Sequence, residues 1–240
     1  MGTPWSVVRG LSFGVLLAAA LTARAEPAAP PAAAPLPEPS QAGGEDGSVV
    51  QVANLIYARV KSSKCFSDHF LLRAERESAL STSRRFHAVK LEDDDLFLYP
   101  FVIMTGEGTF TLTDKEREHL RRYCEGGGFL LASAGCSSPE WDRSLRDEIR
   151  RIWPEVKLEP LDMAHPVFHT IYDISELRSS HGSKPRPLEG LSLGGKLVLL
   201  YSQDGLNDTG NTSGCCCCGG NEIINSEQIN VNILAYALTF

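Results

Sequence analysis

From residue 49 to the C terminus, short apolar segments alternate with amphipathic segments, and this alternation restricts the fold more than any other feature. Five segments are short and rich in β-branched, aromatic or aliphatic residues, which is typical of buried strands. They cover residues 49–60, 86–91, 101–105, 129–132 and 196–202. Strands that alternate with helices form parallel sheets covered by helices on both faces. The sequence therefore predicts a three-layer, doubly wound α/β domain with a mostly parallel sheet.

The segments between these strands carry helix start signals. Helices are expected to begin near residues 67, 113, 138 and 226. Thr113 and Glu116 have the spacing of a capping box, in which each side chain satisfies the backbone amide of the other residue. Pro139 is well placed in the first turn of the third helix. Four apolar residues of that helix recur at helical spacing and predict a buried face. They are Trp141, Leu145, Ile149 and Ile152.

Residues 1–25 have the layout of a secretory signal peptide. Arg9 precedes an apolar segment from Leu11 to Leu21, and Ala23-Arg24-Ala25 is a small-x-small cleavage site. The apolar segment is shorter than the roughly 20 residues that span a bilayer, although an uncleaved membrane anchor is the alternative. We therefore expect export to the periplasm or cell envelope, with a mature N terminus at Glu26.

Residues 26–47 consist mainly of Pro, Ala and Gly and are predicted to form a linker, because such a segment cannot bury enough apolar surface to fold. Residues 48–240 are expected to form a single domain. The chain has 23 basic and 30 acidic residues, for a formal net charge of −7. A basic footprint is required for nucleic-acid binding, so this balance argues against it. No later segment reaches membrane-spanning length. We expect a small ligand or an envelope protein as the partner, and no cofactor.

Short motifs follow one another in an order that is similar to a known family. They are Leu96-Phe97-Leu98-Tyr99-Pro100-Phe101, Met104-Thr105-Gly106, Leu120-Arg121-Arg122-Tyr123, Gly127-Gly128-Phe129-Leu130, His165-Pro166-Val167-Phe168, Tyr201-Ser202 and Ala235-Tyr236-Ala237. Together they resemble a bacterial family, domain of unknown function 4159, over nearly all of residues 49–240. The resemblance implies a flavodoxin-like fold similar to the class I glutamine amidotransferases, and it implies no activity. The sequence departs from the pattern at Glu107, where Gly-His-Gly is expected, and at residues 133–136, where acidic residues are expected.

Three polar residues are candidates for ligand binding. In doubly wound sheets, ligands sit beyond the carboxyl ends of the strands. Glu107, Ser133 and Asp204 each lie at or just after the end of a predicted strand. The favoured interpretation is a non-catalytic module that binds a ligand or a protein partner at this edge of the sheet.

The alternative is a cysteine-dependent hydrolase or amidotransferase-like enzyme. In it, Cys136 is the nucleophile and His165 or His169 is its base. The sequence around Cys136 supplies only part of the Gly-x-nucleophile-x-Gly turn, and Pro166-Val167 follows His165 where an amidotransferase has His-x-Glu. We expect Cys136 to pack or to join a disulfide. A hydrogen bond between the Cys136 sulfur and a histidine nitrogen would favour the enzyme.

Four consecutive cysteines, residues 215–218, are flanked by glycines. Cys215 and Cys218 have the C-x-x-C spacing of a zinc site, but the sequence has no second pair with matching spacing. In an exported chain, disulfides are the favoured outcome, among these four cysteines and with Cys65 or Cys136. A metal site and free thiols are the alternatives. We expect a surface loop closed by at least one disulfide.

Overall fold

The computed structural model describes residues 49–59, 65–182, 184–215 and 220–240. The predicted signal peptide (1–25), the predicted linker (26–47) and Cys218 lie outside these residues. Within the described ranges, no helix combines the length and the apolar character that crossing a membrane requires.

The described residues form seven strands and four α-helices. In chain order they are β1 (Val49–Ile56), α1 (His69–Glu77), β2 (Ser81–Lys90), β3 (Phe101–Gly106), α2 (Asp114–Glu125), β4 (Phe129–Ala134), α3 (Pro139–Ile152), β5 (Glu159–Pro160), β6 (Glu189–Leu193), β7 (Lys196–Ser202) and α4 (Ser226–Thr239). Short 3₁₀ helices cover Asp94–Leu98, Gly135–Ser137, Pro166–Phe168 and Thr209–Asn211.

The strands form one sheet in the order β2-β1-β3-β4-β7-β6-β5. The first five strands of this order run parallel to one another. β6 runs antiparallel to β7, and β5 runs antiparallel to β6. The predicted α/β class with a mostly parallel sheet is therefore confirmed, and the strand order is compatible with a flavodoxin-like fold.

Helices cover both faces of the sheet. Val102 of β3 packs in a hydrophobic cluster with α2 and α3, whereas Ile103, the next residue, packs in a second cluster with α1 and α4. Successive side chains of a strand point to opposite faces, so the two clusters form the two layers of the core. The predicted apolar face of α3 is buried, which confirms that prediction. Its residues are Trp141, Leu145, Ile149 and Ile152.

The predicted start signals of α2 and α3 are confirmed. Thr113 Oγ1 accepts a hydrogen bond from the Glu116 amide at 3.2 Å, and the Glu116 carboxylate accepts one from the Thr113 amide at 2.7 Å. Ser138 is the N-cap of α3, and its Oγ accepts from the Trp141 amide at 3.2 Å. These bonds satisfy amides that have no partner within the first turn of a helix.

Several element boundaries differ from the prediction, and three of the differences have a clear physical reason. β1 ends at Ile56 rather than at residue 60, because Ala58 and Arg59 have positive φ values, which an extended strand does not tolerate. α1 begins at His69 with Asp68 as its N-cap, although Ser67 Oγ still accepts from the His69 amide at 3.1 Å. β2 begins at Ser81 instead of residue 86, since its polar first half pairs with β1 through backbone bonds that an apolar pattern does not reveal.

Candidate functional site

A row of polar side chains crosses three neighbouring parallel strands near their carboxyl ends. Thr105 of β3 is in register with Ser133 of β4, which is in register with Ser202 of β7. All three residues are buried. Each lies two residues after a member of the cluster around α1 and α4, such as Leu131 before Ser133 and Leu200 before Ser202, so all three side chains point to that face of the sheet. Polar groups replace the apolar core at this end of the sheet.

The loop that follows β7 is anchored in this polar row. We call residues 203–225 the edge loop; residues 203–215 and 220–225 of it are described. Ser133 Oγ donates to Asn207 Oδ1 at 2.9 Å and accepts from the Leu206 amide at 2.8 Å. The Asn207 carbonyl oxygen accepts from the Ser67 amide, beyond β1, at 2.8 Å. The predicted ligand residue Ser133 therefore binds the edge loop, which covers the carboxyl ends of β4, β3 and β1.

The other two predicted ligand residues differ in exposure. Asp204 is 2% exposed, and its carboxylate accepts from the Arg186 amide at 2.6 Å and from Arg186 Nη1 at 3.2 Å. Glu107 is exposed. It lies so close to Gly135 that a Cβ atom on that glycine would be 2.9 Å from Glu107 Cγ. Of the three predicted residues, Glu107 alone presents its side chain to solvent.

Cys136 lies in a left-handed turn directly after β4. Its φ is 48°, and the φ of Ser137 is 52°, so the partial elbow sequence does form a strained turn. The edge loop packs against this turn: a Cβ atom on Gly220 would lie 2.1 Å from the Cys136 carbonyl oxygen. Ser137 Oγ donates to the Asn221 carbonyl oxygen at 2.6 Å.

His165 lies near the amino end of β4, whereas Cys136 lies beyond its carboxyl end. Its ring is 5.5 Å from the ring of Tyr236, which is 6.5 Å from the ring of Phe129, the first residue of β4. Cys136 lies two residues beyond the end of that six-residue strand, which is about 20 Å long. Burial lowers the pKa of the His165 imidazole. The structure therefore does not bring Cys136 and His165 together.

His169, the other predicted base, is engaged within its own segment. Its Nε2 lies 2.7 Å from the Met163 carbonyl oxygen, and its Nδ1 lies 2.5 Å from Asp173 Oδ1. The Met163 carbonyl and the Asp173 carboxylate raise the pKa of this imidazole. Both partners come from the segment that surrounds the short helix Pro166–Phe168, on the same side of the domain as His165.

A disulfide joins the cysteine-rich segment to the chain beyond β1. Cys65 and Cys215 are bonded, with Cα atoms 5.5 Å apart. The predicted disulfide between the cysteine run and Cys65 is thereby confirmed, and Cys215 is excluded as a zinc ligand because its sulfur is bonded to Cys65. Cys218 lies outside the described residues. In the part of the chain that is described, no group of three or more His, Cys, Asp or Glu residues could hold a metal ion.

A pocket of about 400 Å³ lies beside this disulfide, between β1, β2 and the edge loop. We call it the disulfide pocket. Residues 66–68 line one wall, residues 211–213 line another, and Asn54 of β1 contributes from the sheet. Asn54 Oδ1 and Thr212 Oγ1 are buried and have no hydrogen-bond partner in the described part of the chain. Both oxygens are shielded from a water-sized molecule, so Asn54 and Thr212 line the pocket with their other atoms.

The disulfide pocket also contains both signs of charge and an aromatic wall. The Arg85 side chain is 84% exposed, and its Nη1 lies 3.4 Å from Asp68 Oδ2, so the ion pair between them is loose. Both residues line the pocket. The rings of Phe66 and Phe86 are 6.1 Å apart and supply an apolar surface. This combination suits a small molecule that carries both signs of charge and a small apolar part.

A model of a protein family, described as a domain of unknown function, matches residues 52–238. The chain belongs to the DUF4159 family. No curated protein matches it. The DUF4159 match contains every residue of the disulfide pocket and both cysteines of the disulfide.

Sequence reasoning missed the pocket residues of this DUF4159 domain. The available signal was Asn54, whose amide interrupts the apolar sequence of β1. A polar residue in a strand that is otherwise suited to the core is either satisfied by the protein or placed for function. Arg85 and Thr212 gave no signal, because exposed polar residues are common in any chain.

The role of Ser133 in the DUF4159 domain is testable by substitution. Ser133→Ala removes the bond to Asn207 and leaves the buried Leu206 amide without its acceptor, which should lower the free energy of unfolding by about 1–3 kcal/mol. Ser202→Ala is the matched control, because the buried Ser202 Oγ has no partner among the described residues. It should leave the free energy of unfolding unchanged or raise it, because the variant removes a buried hydroxyl that has no hydrogen bond to lose. Urea unfolding measures both variants, and equal losses would contradict the anchoring role.

Proposed function

We propose that the protein is an exported, non-catalytic module with a flavodoxin-like fold similar to that of the class I glutamine amidotransferases. In the periplasm or cell envelope it binds a small zwitterion, such as an amino acid or a dipeptide, in the disulfide pocket. The observation that carries this proposal is the loose Arg85–Asp68 ion pair in the wall of a 400 Å³ pocket that also contains two aromatic rings. A pocket that holds both signs of charge beside an apolar wall favours a ligand with an ammonium group, a carboxylate and a small apolar part.

The charges of the pocket specify the two ends of the ligand. A ligand ammonium group donates to the Asp68 carboxylate, which lines the pocket. A ligand carboxylate accepts from the Arg85 guanidinium, whose existing partner is 3.4 Å away and leaves its other donors available. The Phe66 and Phe86 rings pack against the apolar part of the ligand. The pocket volume falls in the range of roughly 300–1,000 Å³ that is usual for small-molecule sites.

The placement of the cysteine and histidine residues supports the non-catalytic part of the proposal. A nucleophile and its base must lie within hydrogen-bond reach of each other. Cys136 and His165 lie beyond opposite ends of β4, and His169 belongs to the same segment as His165. The Cys65–Cys215 disulfide supports export, because disulfides persist in oxidising compartments.

Calorimetric titration with dialanine tests the proposal. The oxidised protein should bind dialanine, and Arg85→Gln should weaken this binding about tenfold, since losing a charged hydrogen bond costs about 1.4 kcal/mol or more. Arg84→Gln is the matched control: Arg84 is the neighbouring exposed arginine, it pairs with Glu75, and it does not line the pocket.

The Arg84→Gln protein should bind dialanine within about twofold of the unmodified protein, because single exposed ion pairs contribute little. N-acetyl-dialanine amide, which lacks both charges, serves as the control ligand and should not compete. The proposal is wrong if dialanine does not bind the oxidised protein, or if the two arginine variants weaken binding equally.

A further inference from the structure

The Cys65–Cys215 disulfide joins two walls of the disulfide pocket. Residues 66–68 directly follow Cys65 and line one wall, and residues 211–213 lie just before Cys215 and line the other. The two segments follow different strands, β1 and β7, and their cysteines are 150 residues apart in the chain. The pocket therefore keeps its shape only while these two separate segments remain together.

The disulfide is placed at the rim of the domain and not in its core. Cys65 and Cys215 are each partly exposed, and the residues next to Cys215, Ser213 and Gly214, are exposed. Neither cysteine belongs to either of the two hydrophobic clusters that hold the helices to the sheet. A reductant can therefore reach the bond, and breaking it removes none of the contacts that form the core.

The wall formed by residues 66–68 also shares a backbone hydrogen bond with the edge loop, four residues before the other wall begins. The Ser67 amide donates to the Asn207 carbonyl oxygen at 2.8 Å. This amide lies two residues from Cys65 and in the pocket wall, so its protection from solvent exchange reports whether residues 66–68 remain attached to the edge loop.

We infer that the Cys65–Cys215 disulfide is a redox latch that controls the disulfide pocket. The inference rests on the proposed ligand-binding function of that pocket. In the oxidised protein the latch holds residues 211–215 against residues 65–68, and the pocket retains its ligand. Reduction by a dithiol, such as the active site of an envelope thiol oxidoreductase, releases the two walls and the ligand.

The chemistry is a thiol–disulfide exchange. A thiolate of the dithiol attacks one of the two latch sulfur atoms, which forms a mixed disulfide and releases the other cysteine as a thiolate. The second thiolate of the dithiol then breaks the mixed disulfide. The dithiol leaves as a disulfide, two electrons pass to the latch, and each cysteine takes up one proton. Cys216, Cys217 and Cys218 follow the latch directly in the sequence, which places further exchangeable sulfur atoms beside it in the chain.

Hydrogen–deuterium exchange of the full chain, with and without dithiothreitol, tests the latch. Peptides that contain Ser67 and residues 206–215 should exchange about tenfold faster or more after reduction, while peptides of β3 and β4 keep their protection. The double variant Cys65→Ser/Cys215→Ser should show the fast exchange without dithiothreitol and should not respond to it further. In parallel, reduction should weaken dialanine binding about tenfold or more.

The possible outcomes separate this inference from the proposed function. If the oxidised protein does not bind dialanine, the proposed function fails, and the exchange data alone decide whether the latch opens. If the oxidised protein binds dialanine and reduction changes neither exchange nor affinity, the latch is overturned while the function stands. If reduction exposes β3 and β4 as well, the disulfide supports the whole fold, and the latch is likewise overturned.

Discussion

The double variant Cys65→Ser/Cys215→Ser should lose about 2–5 kcal/mol of unfolding free energy and should nevertheless remain folded. The disulfide links residues 150 positions apart, so its removal returns a large amount of conformational freedom to the unfolded chain. The two hydrophobic clusters remain intact in the variant, because neither contains a latch cysteine. Urea unfolding without reductant, followed by circular dichroism, measures the loss.

The same experiment contains its own control. Dithiothreitol should destabilise the unmodified protein by a similar amount and should leave the double variant unchanged. A double variant as stable as the unmodified protein would show that the bond contributes nothing to folding. An unfolded variant would show that the bond holds the core, contrary to its position at the rim.

Trp141→Ala should destabilise the domain by about 3–5 kcal/mol. Trp141 is 1% exposed, and its ring lies between Phe110 and Tyr201 at centroid distances of 5.5 and 5.9 Å. Its Nε1 donates to the Tyr57 hydroxyl at 2.7 Å, and that hydroxyl donates to the Thr105 carbonyl oxygen at 3.1 Å. Burial raises the pKa of Tyr57, so the phenol stays protonated and able to donate. The indole thus connects α3 to β1 and β3.

A second substitution separates packing from hydrogen bonding at this position. Trp141→Phe keeps an aromatic ring and loses the indole donor, so it should cost less than the alanine variant, about 1–3 kcal/mol. Trp153→Phe is the comparison. The Trp153 Nε1 makes only a long hydrogen bond, of 3.4 Å, to Glu125 Oε1, so losing it should cost less. Thermal unfolding measures all three variants. A Trp141→Ala loss of less than about 1 kcal/mol would contradict the central position of this side chain.

The layers of the fold were predictable because they depend on local patterns. The apolar face of α3 and the capping box at Thr113 each depend on residues that are close together in the sequence. β5 and β6 were not predicted, since Glu159–Pro160 is only two residues long and Glu189–Leu193 contains a glycine and two polar residues. The register of such strands depends on a neighbour, β7, and not on their own sequence.

The candidate site was harder to predict because it depends on the edge loop. Ser133 and Asp204 do lie at the carboxyl ends of their strands, as expected. No pattern in the sequence indicates that the edge loop turns back over this edge and hydrogen-bonds to Ser133. The sequence also did not determine which cysteine forms a disulfide with the cysteine run, because several pairings among the seven cysteines are compatible with their spacing.

The contact between Gly220 and Cys136 constrains which residues can flank the cysteine repeat. One end of the repeat is held at Cys215 by its bond to Cys65, and the other end is held at Gly220, where a side chain would overlap the Cys136 carbonyl group. Natural variants of the gene should therefore retain a cysteine at position 215 and a glycine at position 220, because one forms the disulfide and the other leaves room for the Cys136 backbone.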